Sequence, residues 1–154
     1  MERMDYRLLL RSHGLRATGP RIAALKEANQ AGHITVEELC KRITAQIGSV
    51  STQAVYDIVH VLTEKGLMRE VRPVDHAAVY EINLHDDHHH FICNHCGRIQ
   101  DVPARDVECE LLAPAEKYGF SVEATEVTYW GTCAECRAKM KDGAEPHAVQ
   151  PQAA

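Results

Sequence analysis

Apolar positions in the first half of the chain recur with a helical period. Val55, Ile58, Val59 and Leu62 fall at i, i+3, i+4 and i+7, one stripe along a helix predicted from Ser51 or Thr52 to a left-handed cap at Gly66. Its other face presents Gln53, Ala54, Tyr56, Asp57 and His60. Three helices are predicted before it. The first covers residues 2–12, with Met4, Leu8 and Arg11 on one face and Gly14 ending it. The second opens at Thr18-Gly19-Pro20, where a proline costs no hydrogen bond, and turns Ile22, Leu25 and the following alanines inward. The third opens at the capping box Thr35-Val36-Glu37-Glu38 and runs to about Gly48. After Gly66 the pattern changes to a hairpin, Leu67–Arg72 and Ala77–Ile82 around a turn at Pro73-Val74-Asp75-His76. Helices closed by a hairpin make a winged helix-turn-helix, whose last helix enters the DNA major groove. A helical scaffold with no DNA partner fits the same pattern, because fold does not fix function.

The polar run 83–87 reads as a hinge between a module of residues 1–82 and a second of 88–138. The second module is predicted to contain a strand (His88–Cys93), a knuckle (Asn94–Gly97) and a strand (Arg98–Val102). A helix from Ala104 to Tyr118 follows, kinked or divided at Pro114, and then mostly strand over Phe120–Trp130. The fold class is therefore α+β: a winged helix followed by a small α/β domain. Three short strands and a helix make a poor monomer, so an edge or helix is expected to pair in a dimer. Residues 139–154 read as a disordered tail.

Charge divides along the same line. Residues 1–81 carry 11 Lys/Arg against 10 Asp/Glu, a net of +1, and residues 82–154 carry 6 against 12, a net of −6. Arg3, Arg7, Arg11, Arg16, Arg21 and Lys26 crowd the front. A basic front and an acidic rear suggest two modules with different partners. The start, Met-Glu-Arg-Met-Asp-Tyr, lacks a signal-peptide apolar run, and no stretch has transmembrane length. A cytoplasmic setting with no membrane partner is expected, where CxxC pairs favour metal or redox chemistry over structural disulfides.

Two such pairs are present, Cys93/Cys96 and Cys133/Cys136, separated by 36 residues. Each can bring two sulfurs to one tetrahedral ion at about 2.3 Å, and four thiolates suit a closed structural Zn(II). Such a site can contribute on the order of 10 kcal/mol to folding, in keeping with a module short of core. A pair of redox dithiols is the alternative, whereas Cys40 and Cys109 have no such partner. Upstream, His88-His89-His90 sits beside Asp86 and Asp87. On a strand His88 and His90 share a face and His89 takes the other. Nitrogen and oxygen donors without sulfur suit Fe(II), Mn(II), Zn(II) or Ni(II); a solvated turn is the plainer reading.

Gly14-Leu15-Arg16, Pro20-Arg21, His33, Ser51-Thr52, Ala54-Val55-Tyr56, Tyr80-Glu81, His88, His90 and both CxxC pairs resemble the ferric uptake regulator (Fur) family of metal-dependent repressors over residues 7–136. The resemblance implies a homodimer with an N-terminal winged helix, a C-terminal dimerisation domain, and a structural zinc on Cys93, Cys96, Cys133 and Cys136. It places a sensory site for Fe(II) or Mn(II) on His33, Glu81, His88, His90 and Asp101. Asp87, His89 and Glu108 match an additional metal site, in which Thr125 stands where a histidine is expected. Arg16, Arg21, Ser51, Thr52, Gln53 and Tyr56 fall at DNA-contacting positions, Arg16 resembling a basic residue placed in an A·T-rich minor groove.

Asp101 stands where iron sensors usually have Glu, and so resembles the peroxide-sensing branch, in which peroxide oxidises a histidine ligand of bound Fe(II) and DNA is released. Asp57 departs from the usual Arg or Asn, and a carboxylate there can read cytosine N4. The Gln53–Asp57 run and Tyr129-Trp130-Gly131 resemble the FurA/CatR type, repressors of catalase-peroxidase genes. The function expected is a metal-dependent repressor of a double-stranded DNA operator that senses iron and/or peroxide. The alternative within the family is a pure iron, zinc or nickel sensor without a peroxide response. A thiol oxidoreductase and a histidine-rich metal store are readings from other classes. Nothing resembles a nucleophile–base pair or a phosphate loop, so neither an enzyme nor a small organic substrate is expected.

Overall fold

The computed structural model describes residues 4–84, 88–104, 117–121 and 126–141. Two compact units make up the chain: Met1–Arg72 with His76–His85, and Asp86–Ala154 with Pro73–Asp75.

The first unit runs α1 (Tyr6–Ser12), α2 (Gly19–Ala31), β1 (Ile34–Thr35), α3 (Val36–Ile47), α4 (Thr52–Glu64), β2 (Met68–Val71) and β3 (Val79–Ile82). Asp5 caps α1 by accepting from the N–H groups of Arg7 at 2.9 Å and Leu8 at 3.1 Å. The helix thus starts later than the predicted residue 2, and the face it buries is different: Leu10 is fully buried, whereas Leu8 is 66% exposed. Thr35 Oγ1 accepts from the N–H of Glu38, but Glu38 turns outward to Arg42 at 2.9 Å, so only half of the capping box forms. Ser51 Oγ caps α4 by accepting from the N–H of Ala54 at 3.1 Å.

The end of α4 is closed by Gly66 at φ +71°. Leu67 N–H donates back to the Leu62 carbonyl at 2.8 Å, and both leucines are buried. That six-to-one bond with its apolar contact is a Schellman closure, which requires the left-handed residue that glycine supplies at least cost. Asn83, expected to open the hinge, is instead tied to this closure. Its side-chain amide donates to the Gly66 carbonyl and its backbone N–H to the Leu67 carbonyl, both at 2.9 Å.

Val55, Val59 and Leu62 of α4 join Leu25, Leu39 and Ile43 in the core, with Ile58 partly buried against it. The predicted hairpin forms as β2 and β3, antiparallel with Met68 opposite Ile82. Two residues of β1, unforeseen in the sequence, add to the other side of β3, giving the order β1-β3-β2.

The second unit holds β4 (His88–Cys93), β5 (Ile99–Pro103), β6 (Thr128–Gly131) and α5 (Ala134–Lys141). The order is β5-β4-β6, with β5 antiparallel and β6 parallel to β4. The last strand is much shorter than the predicted Phe120–Trp130, since Phe120, Ser121, Glu126 and Val127 are not in strand. The expected Ala104–Tyr118 helix with Pro114 falls for the most part outside the described residues. Helix α5 was not anticipated, and it carries regular structure past Lys139, where disorder was expected to begin. Among the described residues no helix is long and apolar enough to cross a membrane.

Candidate functional site

The four cysteines come together because β4 and β6 run side by side. Cys93 ends β4 opposite Gly131, and Asn94 N–H donates to the Gly131 carbonyl at 2.9 Å. This delivers the chain directly into Cys133, whose carbonyl starts α5 by accepting from Arg137 N–H at 2.9 Å. Gly97, at φ +67°, folds the knuckle back with its N–H on the Cys93 carbonyl at 3.0 Å. The four ligand-capable sulfurs all lie within 4.8 Å of one another. Cys96 Sγ and Cys133 Sγ are 3.8 Å apart, the separation that a tetrahedral ion with sulfur bonds of about 2.3 Å imposes, roughly 3.8 Å. The donor set therefore fits zinc.

The electrostatics point the same way. Burial pushes the Cys93 thiol up, but the N–H groups of Cys133, Cys96 and His95, with the Cys96 thiol, more than reverse this and hold it at about 6. The Cys136 thiol is pushed up to about 12, chiefly by its hydrogen bond to Cys133 and then by desolvation. The Cys93 thiolate is thus solvated by fixed dipoles while Cys96 and Cys136 are held toward the protonated form, and a divalent cation can displace those protons. Arg98 braces the knuckle against α5 through Glu135 at 2.7 Å, and His95 Nε2 lies 3.1 Å from Thr132 Oγ1.

Strand β4 also positions the histidines. His88 and His90 lie edge to face with ring centroids 4.9 Å apart. His90 is buried, its Nε2 is 3.8 Å from Asp101 Oδ1, and the two residues are partners in the β4–β5 register. Glu126, which the sequence reading missed, places Oε1 3.8 Å from His90 Nδ1. No local motif marks it; it reaches His90 because the backbone of Val127 docks on that of His90 at 3.1 Å. His89 is also buried, and its Nδ1 accepts from Val127 N–H at 3.3 Å. Asp87 and Glu108, the other residues of the suggested additional site, lie outside the described residues.

In the first unit His33 and Glu81 meet: His33 Nε2 lies 3.0 Å from Glu81 Oε2. Glu81 is buried, and its other oxygen is 2.8 Å from Arg69 Nε, a partner the sequence reading did not foresee. Arg69 and Glu81 face each other across the hairpin, which explains the pairing.

The outer face of α4 leaves Gln53, Tyr56 and Asp57 exposed, Tyr56 at 44%. Gln53 Nε2 donates to Asp57 Oδ1 at 2.9 Å. Ser51 is committed to capping the helix, and Thr52 begins it. Arg16 is exposed in the connection before α2, and Arg21 Nη1 donates to its carbonyl at 3.2 Å. In the wing, Tyr80 donates to Glu70 at 3.2 Å, and burial followed by the Glu70 charge raises its pKa, so the hydroxyl stays a donor.

The sequence pattern of the ferric uptake regulator family is matched over residues 12–130. The chain is 39% identical over 132 residues to the transcriptional regulator FurA of Mycobacterium tuberculosis, covering 86% of this chain and 90% of that protein. It is 36% identical over 134 residues to ferric uptake regulation protein 1 of Mycolicibacterium fortuitum, covering 87% and 83%. The crystal structure of the Campylobacter jejuni peroxide stress regulator is similar with a TM-score of 0.68 at 29% identity, over 86% of this chain and 100% of that one. A family match across most of the chain, a relative at 39% identity and a winged helix joined to a four-cysteine domain agree, and the chain belongs to the ferric uptake regulator family of transcriptional regulators, not to the enzymes.

Proposed function

We propose that the chain is a cytoplasmic, homodimeric repressor, braced by Zn(II) on Cys93, Cys96, Cys133 and Cys136, that binds its operator when a divalent cation occupies a sensory site. The observation that carries the reading is the gathering of four sulfurs within 4.8 Å of one another beside a histidine strand that ends in one of them. The zinc holds β4, and β4 carries His88 and His90.

The sensory set is His33, Glu81, His88, His90 and Asp101. Two partial donor groups support it, His33 with Glu81 in the first unit and His88, His90 and Asp101 in the second. All offer nitrogen or oxygen, the chemistry of Fe(II) or Mn(II) rather than of a soft ion. A cation that draws on both groups binds one arrangement of the chain better than the others, and such differential affinity is what lets a ligand shift a conformational equilibrium. Asp87, His89 and Glu108 are kept as an additional metal site. Peroxide is the proposed signal, through oxidation of a histidine ligand when iron is bound. The resemblance of Asp101 to the peroxide-sensing branch supports this, with catalase-peroxidase or iron genes as targets. Homodimerisation is supported by the aromatic surface of the second unit, where Phe91, Tyr118, Phe120 and Trp130 are between 47% and 71% exposed.

On DNA, Gln53 and Tyr56 face bases, Arg16 a narrow minor groove, and Arg21, Ser51 and Thr52 the phosphates. Footprinting of the full chain with Fe(II), Mn(II) and Zn(II) in parallel tests the reading. A protected operator that appears with metal is the expected result. Protection that ignores metal removes the sensory function, and absence of protection with every metal removes the repressor.

A further inference from the structure

Helix α4 carries no lysine or arginine from Thr52 to Glu64. Guanidinium and ammonium groups are the ordinary readers of guanine O6 and N7, so this helix must read bases with amide, carboxylate, hydroxyl and imidazole groups. A carboxylate on a groove-facing helix is repelled by phosphate, yet Asp57 stands on the exposed face one turn after Gln53 and accepts from its amide at 2.9 Å.

That bond fixes which way round the amide lies. Nε2 can donate to Asp57, whereas Oε1 turned to the same place would set two acceptors together. A free glutamine can offer both of its N–H groups, and so can accommodate the two acceptors of guanine. With one N–H held by Asp57, what remains is a single N–H beside Oε1, a donor next to an acceptor. This edge matches the N7 acceptor and N6 amino donor of adenine. Ser51 and the first turn of α4 anchor the backbone that carries Gln53, since Ala54 N–H is capped at 3.1 Å.

We propose that Gln53 and Asp57 form one reading unit, in which Asp57 is a positioning residue that aims the Gln53 amide at an adenine. The inference rests on the DNA-binding reading above and adds the base preference and the residue that enforces it.

Selection from random duplexes by the full chain loaded with Mn(II), followed by sequencing of the bound pool, tests it. The native chain is expected to prefer adenine at one position of each half-site, and Gln53→Ala to relax that preference by about ten-fold. Asp57→Ala relaxes the same position, and Asp57→Asn, which keeps an acceptor oxygen without the charge, restores it. Asp57→Ala with the preference intact overturns the proposal. So does a change at a different base pair from the one altered by Gln53→Ala, which would mean that the carboxylate reads DNA by itself, as at a cytosine N4. Failure of Asp57→Asn to restore the preference also overturns it. A native chain that enriches no sequence removes the DNA-binding reading together with the pair, whereas enrichment indifferent to Asp57 removes the pair alone.

Discussion

Cys96 Sγ stands 3.8 Å from Cys133 Sγ across a gap of 36 residues, a separation set by the parallel pairing of β4 with β6. Among the described residues from 88 onward only Ile92 and Cys93 are buried and apolar, so a cross-linking ion must supply much of the second unit's cohesion there. Cys96→Ser is expected to release zinc and melt this unit, with a loss on the order of 10 kcal/mol of metal-linked stability. Metal analysis and a melting curve check it; full zinc content with an unchanged melting temperature would contradict a closed four-sulfur site.

Gly66→Ala isolates the backbone requirement of the α4 closure. A Cβ at this position meets nothing within 4 Å, but φ is +71°. The cost should come from the dihedral alone, about 1 kcal/mol. Ser51→Ala, which removes the cap at the opposite end, should cost a similar ~1 kcal/mol. Both are read from urea midpoints of the full chain. If Gly66→Ala leaves the midpoint where it was, the left-handed closure contributes nothing to α4.

Much of this was legible because local rules and tertiary packing agree. Ser51, Thr35 and Gly66 mark helix ends through chemistry that acts within a few residues, and the Val55–Leu62 stripe reports the core directly. The two CxxC pairs announced their site by spacing alone. What stayed hidden depends on contacts distant in sequence. The two residues of β1 are too few to show alternation, and they are a strand only because β3 lies beside them. Helix α5 buries none of its residues, so it has no apolar stripe; the cysteine cluster at its start holds it in place. Arg69 meets Glu81 through hairpin pairing and Glu126 meets His90 because Val127 docks on the His90 backbone, and composition gives no sign of either. In α1 the run Leu8-Leu9-Leu10 offers apolar side chains in several directions, and packing into the core takes Leu10 and leaves Leu8 out.

Arg69 already places a positive charge 2.8 Å from one oxygen of Glu81, while His33 approaches the other at 3.0 Å. In the proposed sensory role of Glu81, a divalent cation would have to share that carboxylate with the guanidinium, and Arg69 would lower the apparent affinity for metal. Arg69→Gln is expected to tighten Mn(II) binding by about five-fold, roughly 1 kcal/mol of relieved competition. Without metal the same variant should melt earlier, since the buried carboxylate loses a cation. Calorimetric titration and melting with and without Mn(II) measure the two effects. Weaker Mn(II) binding in Arg69→Gln would mean that Arg69 helps to build the site.

Asp101 separates the two readings of the signal. Its Oδ1 lies 3.8 Å from His90 Nε2, and the β4–β5 register holds the two residues opposite each other. Glutamate is longer by one methylene, about 1.5 Å of added reach, enough to change how a carboxylate meets an ion whose bonds are near 2 Å. The native chain loaded with Fe(II) is expected to lose its operator on peroxide treatment and to gain oxygen on a histidine detectable by mass spectrometry. Loaded with Mn(II), it should keep both its operator and its mass. Asp101→Glu should retain metal-dependent DNA binding with Fe(II) while its peroxide sensitivity falls several-fold, because geometry at the ion, not affinity for DNA, is what changes. Equal survival of the Fe(II) and Mn(II) complexes in peroxide would remove the redox signal and leave a sensor of metal concentration alone.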